Sequence, residues 1–191
     1  MKKRSLYIIA GCNGAGKTTA SYALLPDVLH VDEFVNADEI ARGLSPFNPG
    51  SMAISAGRLM LRRIEELLAE GRTFAIETTL ATRSYINLVR RAHSGGYSVH
   101  ILFFYLKDVT LARQRVAERA ARGGHDIPAD VVERRYNAGI RNLLTLFMSE
   151  ADSWVIYDNS LLRCVEIASG GRAISTKIYD KEIYKKIIDH E

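Results

Sequence analysis

Eight consecutive residues, Gly11-Cys12-Asn13-Gly14-Ala15-Gly16-Lys17-Thr18, fit the pattern G-x-x-x-x-G-K-[ST] in full. Glycines at these spacings let a backbone wrap closely around phosphate oxygens and turn its N–H groups inward. A helix that starts where the loop ends adds the positive end of its dipole. In such a loop Lys17 reaches the β- and γ-phosphates of a nucleotide, and the Thr18 hydroxyl ligates Mg²⁺. Thr19 follows in the first helical turn. Cys12 at a helix start has two readings, a thiol of lowered pKa open to oxidation or a tolerated variable position, and the second is preferred.

A phosphate loop implies a nucleotide but not a reaction. Phosphoryl transfer also needs an acceptor base, an acceptor site and cations to spread the charge on the transferred group. Asp38 follows a short apolar run, where a carboxylate either takes a hydroxyl proton, helps hold Mg²⁺, or caps the helix from Glu39 onward. Glu77 closes the apolar run Phe74-Ala75-Ile76. A charge there is costly unless it faces an opening or a partner, so it reads as an acceptor-binding or metal-linked carboxylate, or as one half of an arginine pair. Thr78, Thr79, Thr82 and Arg83 follow with hydrogen-bonding groups for a polar acceptor. Arg115, Arg119 and Arg122 form a stripe beside the apolar face Val109, Ala112, Val116 and Ala120. Arg134 and Arg135 come back beyond the Gly123-Gly124 break. A basic helix, a glycine loop and a second basic helix read as a lid over residues 119–130 that closes on phosphates. The bland alternative is a solvated face paired with Glu118 and Glu133. His125, in the lid loop, is assigned no role.

The elements that must position these residues are legible from periodicity. Strands are expected at Leu6–Ala10, Phe34–Asn36, Thr73–Glu77, Val99–Leu106 and Trp154–Tyr157. Between them helices are expected at Gly16–Leu25 (stopped near Pro26), Ser51–Glu70, 83–94, 108–122 and Asp130–Met148. Ser51 is a candidate cap, and Leu59, Ile64, Leu67 and Leu68 a core face. Val165–Ala168 and Ala173–Ile178 read as a terminal hairpin turning at Gly170-Gly171, followed by a short charged helix over 180–189. Such alternation predicts a single α/β domain over residues 1–191 with a mainly parallel five-stranded sheet between helical layers.

The bulk composition agrees. The chain has 191 residues, 47% apolar and 25% charged, with a net charge of +4. Residues 27–39 hold five acids and no Lys or Arg, while residues 111–141 hold seven arginines against four acids. That asymmetry suits an anionic ligand held between them. Two cysteines make no disulfide framework or metal spacing. No apolar run reaches the roughly 18 residues a membrane span needs, and residues 1–10 run into the glycine loop rather than a cleavage site. The expectation is a cytoplasmic protein with no membrane partner.

Taken together these segments resemble the zeta-toxin family of phosphate-loop kinases. The likeness rests on Gly11–Thr19, Phe34–Ile40 with Leu44-Ser45-Pro46, Ile76–Leu80, Arg115–Arg119, Arg122–Pro128 and Arg134-Arg135-Tyr136. It implies a three-layer αβα kinase fold with a small helical lid, using ATP and Mg²⁺. It further implies that Asp38 acts as base, Lys17 and the lid arginines Arg119 and Arg122 stabilise the transferred phosphoryl, and Glu77 serves the acceptor site. Thr78, Arg83 and Arg135 join Asp38 and Glu77 as expected acceptor contacts. Characterised members phosphorylate UDP-N-acetylglucosamine and are held inactive by a small antitoxin. This chain is shorter than the large toxins, carries Thr78-Thr79 after Glu77, and differs in its lid. A regulatory NTPase is the second reading. It is weakened by the lack of an Asn-Lys pair for guanine and of a clear second nucleotide motif. A nucleic-acid-directed module ranks last, because the 27–39 stretch is acidic and aromatics do not interleave the arginines.

Overall fold

The computed structural model describes residues 4–124, 126–161 and 163–190. His125 lies outside these. Among the described residues seven strands are present: β1 (Ser5–Gly11), β2 (Phe34–Val35), β3 (Phe74–Thr78), β4 (Ser98–Tyr105), β5 (Ser153–Asp158), β6 (Val165–Gly171) and β7 (Ile174–Ile178). They form one sheet in the order β2-β3-β1-β4-β5-β6-β7. The first five are parallel, and the last two add on in antiparallel fashion. The expected parallel core is therefore present, and the terminal hairpin extends the same sheet.

Central strands are buried along consecutive residues, Leu6 and Ile8 to Ala10 in β1 and Phe74 to Ile76 in β3. Successive side chains of a strand point to opposite faces, so both faces of the sheet are covered. The helices are α1 (Lys17–Asp27), α2 (Ala37–Leu44), α3 (Ala53–Glu70), α4 (Tyr85–Ser94), α5 (Val109–Ala121), α6 (Ala129–Asn142) and α7 (Lys181–Ile188). Leu143–Phe147 continues α6 with π geometry.

Several details differ from the sequence reading, each for a local reason. Helix α1 runs through Pro26 to Asp27, because a proline in the last turn costs only its own bond back toward the preceding turn. Ser51 does not cap α3. It sits in a 3₁₀ turn, Pro49–Met52, with its hydroxyl on the Asn48 carbonyl. The buried face of α3 is Ala56, Met60, Ile64 and Leu67, with Leu59 and Leu68 half-buried beside it. The hairpin turns at Arg172-Ala173, not at Gly170-Gly171. Those glycines serve close packing instead: a Cβ on Gly171 would lie 2.1 Å from the Asp152 carbonyl oxygen, and one on Gly170 would lie 2.6 Å from the Trp154 indole.

Register sets up the site. Ile9 of β1 is paired with Glu77 of β3, and Gly11 with Phe104 of β4. The carboxyl ends of the parallel strands therefore bring Glu77 level with the start of the glycine loop, where open α/β sheets bind ligands.

Candidate active site

The glycine loop leaves β1 with left-handed turns at Gly14 and Gly16 (φ 81° and 80°) and enters α1 at Lys17. Two neighbours fix its shape. Asn159, just past β5, donates its amide to the Ala15 carbonyl at 2.8 Å. Arg115 of α5 holds the same segment by donating to the carbonyls of Asn159 (2.8 Å) and Ser160 (3.1 Å). The Arg115 guanidinium is thus engaged with backbone oxygens, a strap rather than a phosphate arm. A Cβ on Gly16 would stand 2.5 Å from the Asn159 amide nitrogen. Gly16→Ala is therefore expected to break the Asn159–Ala15 bond and to cost about 1–3 kcal/mol, read as a lowered denaturant midpoint together with weakened ATP binding.

Lys17 is buried, at 6% exposure. Its ammonium donates to the Cys12 carbonyl at 2.9 Å and lies 3.6 Å from Glu77 Oε1. The other Glu77 oxygen accepts from the Thr18 hydroxyl and from the Asn36 amide, each at 2.8 Å. A hydroxyl that spends its proton on a carboxylate turns its lone pairs elsewhere, the orientation a hard cation needs. Glu77 therefore organises the loop's lysine and threonine in this conformation, a tighter tie to the nucleotide side than acceptor binding alone.

Asn36 was given no role from sequence, yet it links two parts of the site. Its side-chain oxygen accepts from the backbone N–H groups of Asp38 (2.8 Å) and Glu39 (3.4 Å), capping α2. Asn36, not Asp38, is the cap, so the Asp38 carboxylate is not used in capping α2. The signal was present in sequence: an Asn with acids at the second and third positions after it, Asp38 and Glu39, is a helix start.

Cavities join these residues. One of about 200 Å³ is lined by Gly14, Gly16, Lys17, Thr18, Glu77, Arg115 and Arg119, and also by Asp38. A second of about 420 Å³ shares Thr18, Thr19, Asp38 and Arg119 with it and adds Arg135. A third, of about 210 Å³, holds Asp38 with Lys17, Glu77, Thr78, Thr79, Thr82 and Arg135. Asp38 is common to all three. Arg135, from α6, crosses to the loop and donates to Asn13 at 3.2 Å.

Other expected residues fall outside this cluster. Arg83 is exposed ahead of α4 and lines none of these cavities. Arg122 is exposed and lines only an outer basic cleft with Arg42, Arg115 and Arg119. The lid segment is the end of α5, a turn at Arg122-Gly123, and the chain leading to α6 at Ala129. Burial pushes the Cys12 thiol up to about 11, so it stays protonated near neutrality and the helix start does not activate it. Among the described residues no group of three or more His, Cys, Asp and Glu is placed to hold a metal by itself. No helix among them is long and apolar enough to cross a membrane.

The model of a family described as an AAA domain matches residues 6–146, from β1 into the π turn after α6. The chain belongs to that AAA-domain family. The matched span takes in the glycine loop, Asn36, Asp38, Glu77 and both arginine helices, so the whole cluster lies inside the AAA-domain region. An uncharacterized protein of Haemophilus influenzae is 29% identical over 136 residues, 71% of this chain and 94% of that protein. Among solved structures, AvrRxo1-ORF1:AvrRxo1-ORF2, crystallised with sulphate ions, matches with a TM-score of 0.78 at 17% identity, over 97% of this chain. This chain spans 63% of the length of that structure's chain. The PezAT chromosomal toxin–antitoxin system of Streptococcus pneumoniae matches with a TM-score of 0.62 at 16% identity, over 86% of this chain and 72% of its own. At such identities the likeness establishes the fold alone, a mainly parallel α/β sheet with a phosphate loop after its first strand.

Proposed function

We propose that this protein is an ATP-dependent kinase that moves the γ-phosphoryl of ATP to a hydroxyl of a small molecule, in the manner of the zeta toxins. One observation carries the reading: Asp38 lines each of the three cavities described at the mouth of the glycine loop. A residue that only caps a helix or pairs with an arginine has no reason to occupy that junction.

In this scheme the loop N–H groups and Lys17 hold the β- and γ-phosphates. Mg²⁺ fits the site because Thr18 and the Glu77 carboxylate, which would hold it, offer only hard oxygen donors. Bound there, the ion supplies charge neutralisation on the phosphates. Asp38 accepts the proton of the acceptor hydroxyl as its oxygen bonds to the γ-phosphorus. The bond from that phosphorus to the bridging oxygen breaks, and ADP leaves with the electron pair. Arg119, which borders the loop cavity and the larger acceptor-side cavity, stabilises charge on the group in flight. Arg135, Thr78 and Glu77 border the acceptor side, where a nucleotide sugar such as UDP-N-acetylglucosamine is the favoured acceptor. A small antitoxin belongs to the same reading, supported by the fold shared with the PezAT system.

The test is direct. Pure protein with γ-labelled ATP and Mg²⁺ is offered nucleotide sugars, nucleosides and free sugars in parallel. Label is expected on the hydroxyl of a small acceptor. Release of labelled inorganic phosphate alone, unaltered by every acceptor, would sink the kinase reading in favour of a regulatory NTPase.

A further inference from the structure

The family match ends at residue 146, and nothing in the reaction scheme uses the hairpin β6–β7 or α7. That hairpin ends the sheet: β7 is its outer strand, with β4, β5 and β6 between it and β1. All five residues of β7, Ile174 to Ile178, are exposed. Among the described residues no strand lies against its outer side. A free row of backbone N–H and C=O groups invites pairing with another chain, and proline or repeated charge is the usual guard. β7 has no proline, and its one charge is Lys177.

The order of side chains along β7, Ile-Ser-Thr-Lys-Ile, matches itself when reversed in all but the serine and lysine. An antiparallel pair of two copies, with its two-fold axis at Thr176, sets Ile174 opposite Ile178 twice and Thr176 opposite Thr176. Side chains alternate between faces, so these residues share one face. On the other face each Lys177 meets a Ser175 hydroxyl and no second ammonium. Ile174 and Ile178 are 50% and 42% exposed, so both keep apolar surface for a cross-strand pair to cover. Thr176 lines a cleft of about 660 Å³ with Trp154, Tyr184 and Ile188, which extends this face onto α7. Other registers fit less well. An axis at Lys177 opposes two ammonium groups, and one at Ser175 sets Ile178 against Arg172. The opposite sheet edge, β2, is only two residues long, too short to receive β7 of a next copy.

We propose that β7 is a self-association strand, and that its partner is β7 of a second copy, paired antiparallel about Thr176 into one continuous sheet. The resulting dimer is closed, because each copy spends its one long edge. The proposal stands apart from the kinase reading, since no residue of the loop mouth takes part.

The experiment is sedimentation velocity of the pure full chain across the micromolar range. The native protein is expected to pass from the mass of one chain to twice that mass as concentration rises, and no further. Ile174→Glu and Ile178→Lys should each raise the dimer dissociation constant roughly ten-fold or more, because each sets two charges against isoleucine. The double variant Ile174→Glu/Ile178→Lys sets opposite charges across both symmetry-related pairs and should recover most of the association. Lys177→Glu, opposite Ser175, should not weaken the dimer. All three positions are exposed, so circular dichroism and the thermal midpoint of each variant's monomer should match the native chain. A native protein that stays monomeric throughout would overturn the proposal and leave the edge to an extended segment of another protein. Assembly beyond the dimer, association untouched by the single variants, or no recovery in the double variant would each overturn it as well.

Discussion

Asp38→Asn is expected to slow phosphoryl transfer about 10²–10⁴-fold, the usual contribution of a positioned general base, while ATP binds with unchanged affinity. Asparagine keeps the size of the side chain and cannot take a proton. The backbone around it should not move, because α2 is capped by Asn36 rather than by residue 38. The prediction therefore separates chemistry from folding, which it could not do if Asp38 were the cap. Single-turnover rates with saturating ATP and acceptor, alongside a fluorescent-ATP titration, supply both readouts. A variant within three-fold of the native rate would remove Asp38 from the role of base. A variant that lost ATP affinity in step with rate would make it a nucleotide ligand instead.

Lys17→Met carries the second large effect. Methionine retains much of the apolar stem and deletes the ammonium, the group that lies against Cys12 O and beside Glu77. Losing one preorganised cation at transferring phosphates should lower kcat/KM for ATP by about 10²–10³-fold. The geometry adds a sharper consequence. Without Lys17 the Glu77 carboxylate, only 10% exposed in its side chain, faces the phosphates with no neighbouring ammonium. Like charge then adds repulsion to lost attraction. Glu77→Gln in the Lys17→Met background should recover part of the ATP affinity, although Glu77→Gln alone should weaken Mg²⁺-dependent turnover by disturbing Thr18. Double-mutant coupling of that sign is the check. Strictly additive effects would mean that Lys17 and Glu77 do not act on the same phosphates.

Much of this site could be read before any coordinates, and the reason is chemical. A phosphate loop depends on backbone turns that glycine permits and on one fixed lysine, so its residues are contiguous and recognisable. The parallel core was legible for a similar reason, since strands buried on both faces read as unbroken apolar runs such as Ile8–Ala10 and Phe74–Ile76. What sequence could not supply was pairing across distance. Nothing local says that Arg115 spends its guanidinium on the carbonyls of Asn159 and Ser160, forty-four and forty-five residues away, and a stripe of arginines at helical spacing looks alike whether it serves phosphate or backbone. Asn36 was overlooked because its bond to Glu77, unlike the two that cap α2, reaches forty-one residues along the chain. Gly170 and Gly171 read as a turn because glycine's conformational freedom is visible in sequence, whereas the close approach of Trp154 and Asp152 that excludes a side chain is not. Arg83 and Arg122 carried the right charge, but their exposed positions leave them outside the cluster around Asp38.

The central claim is that the chain transfers the terminal phosphoryl of ATP to a hydroxyl, with Asp38 taking the proton. The most direct measurement uses ATP labelled with ¹⁸O in its γ-phosphoryl, incubated with an extract of small metabolites and analysed by mass spectrometry. The native protein should place the labelled phosphoryl on the hydroxyl of a discrete small molecule, and Asp38→Asn should place almost none there. Label recovered only in inorganic phosphate, or the same labelled product at the same rate from both proteins, would contradict it.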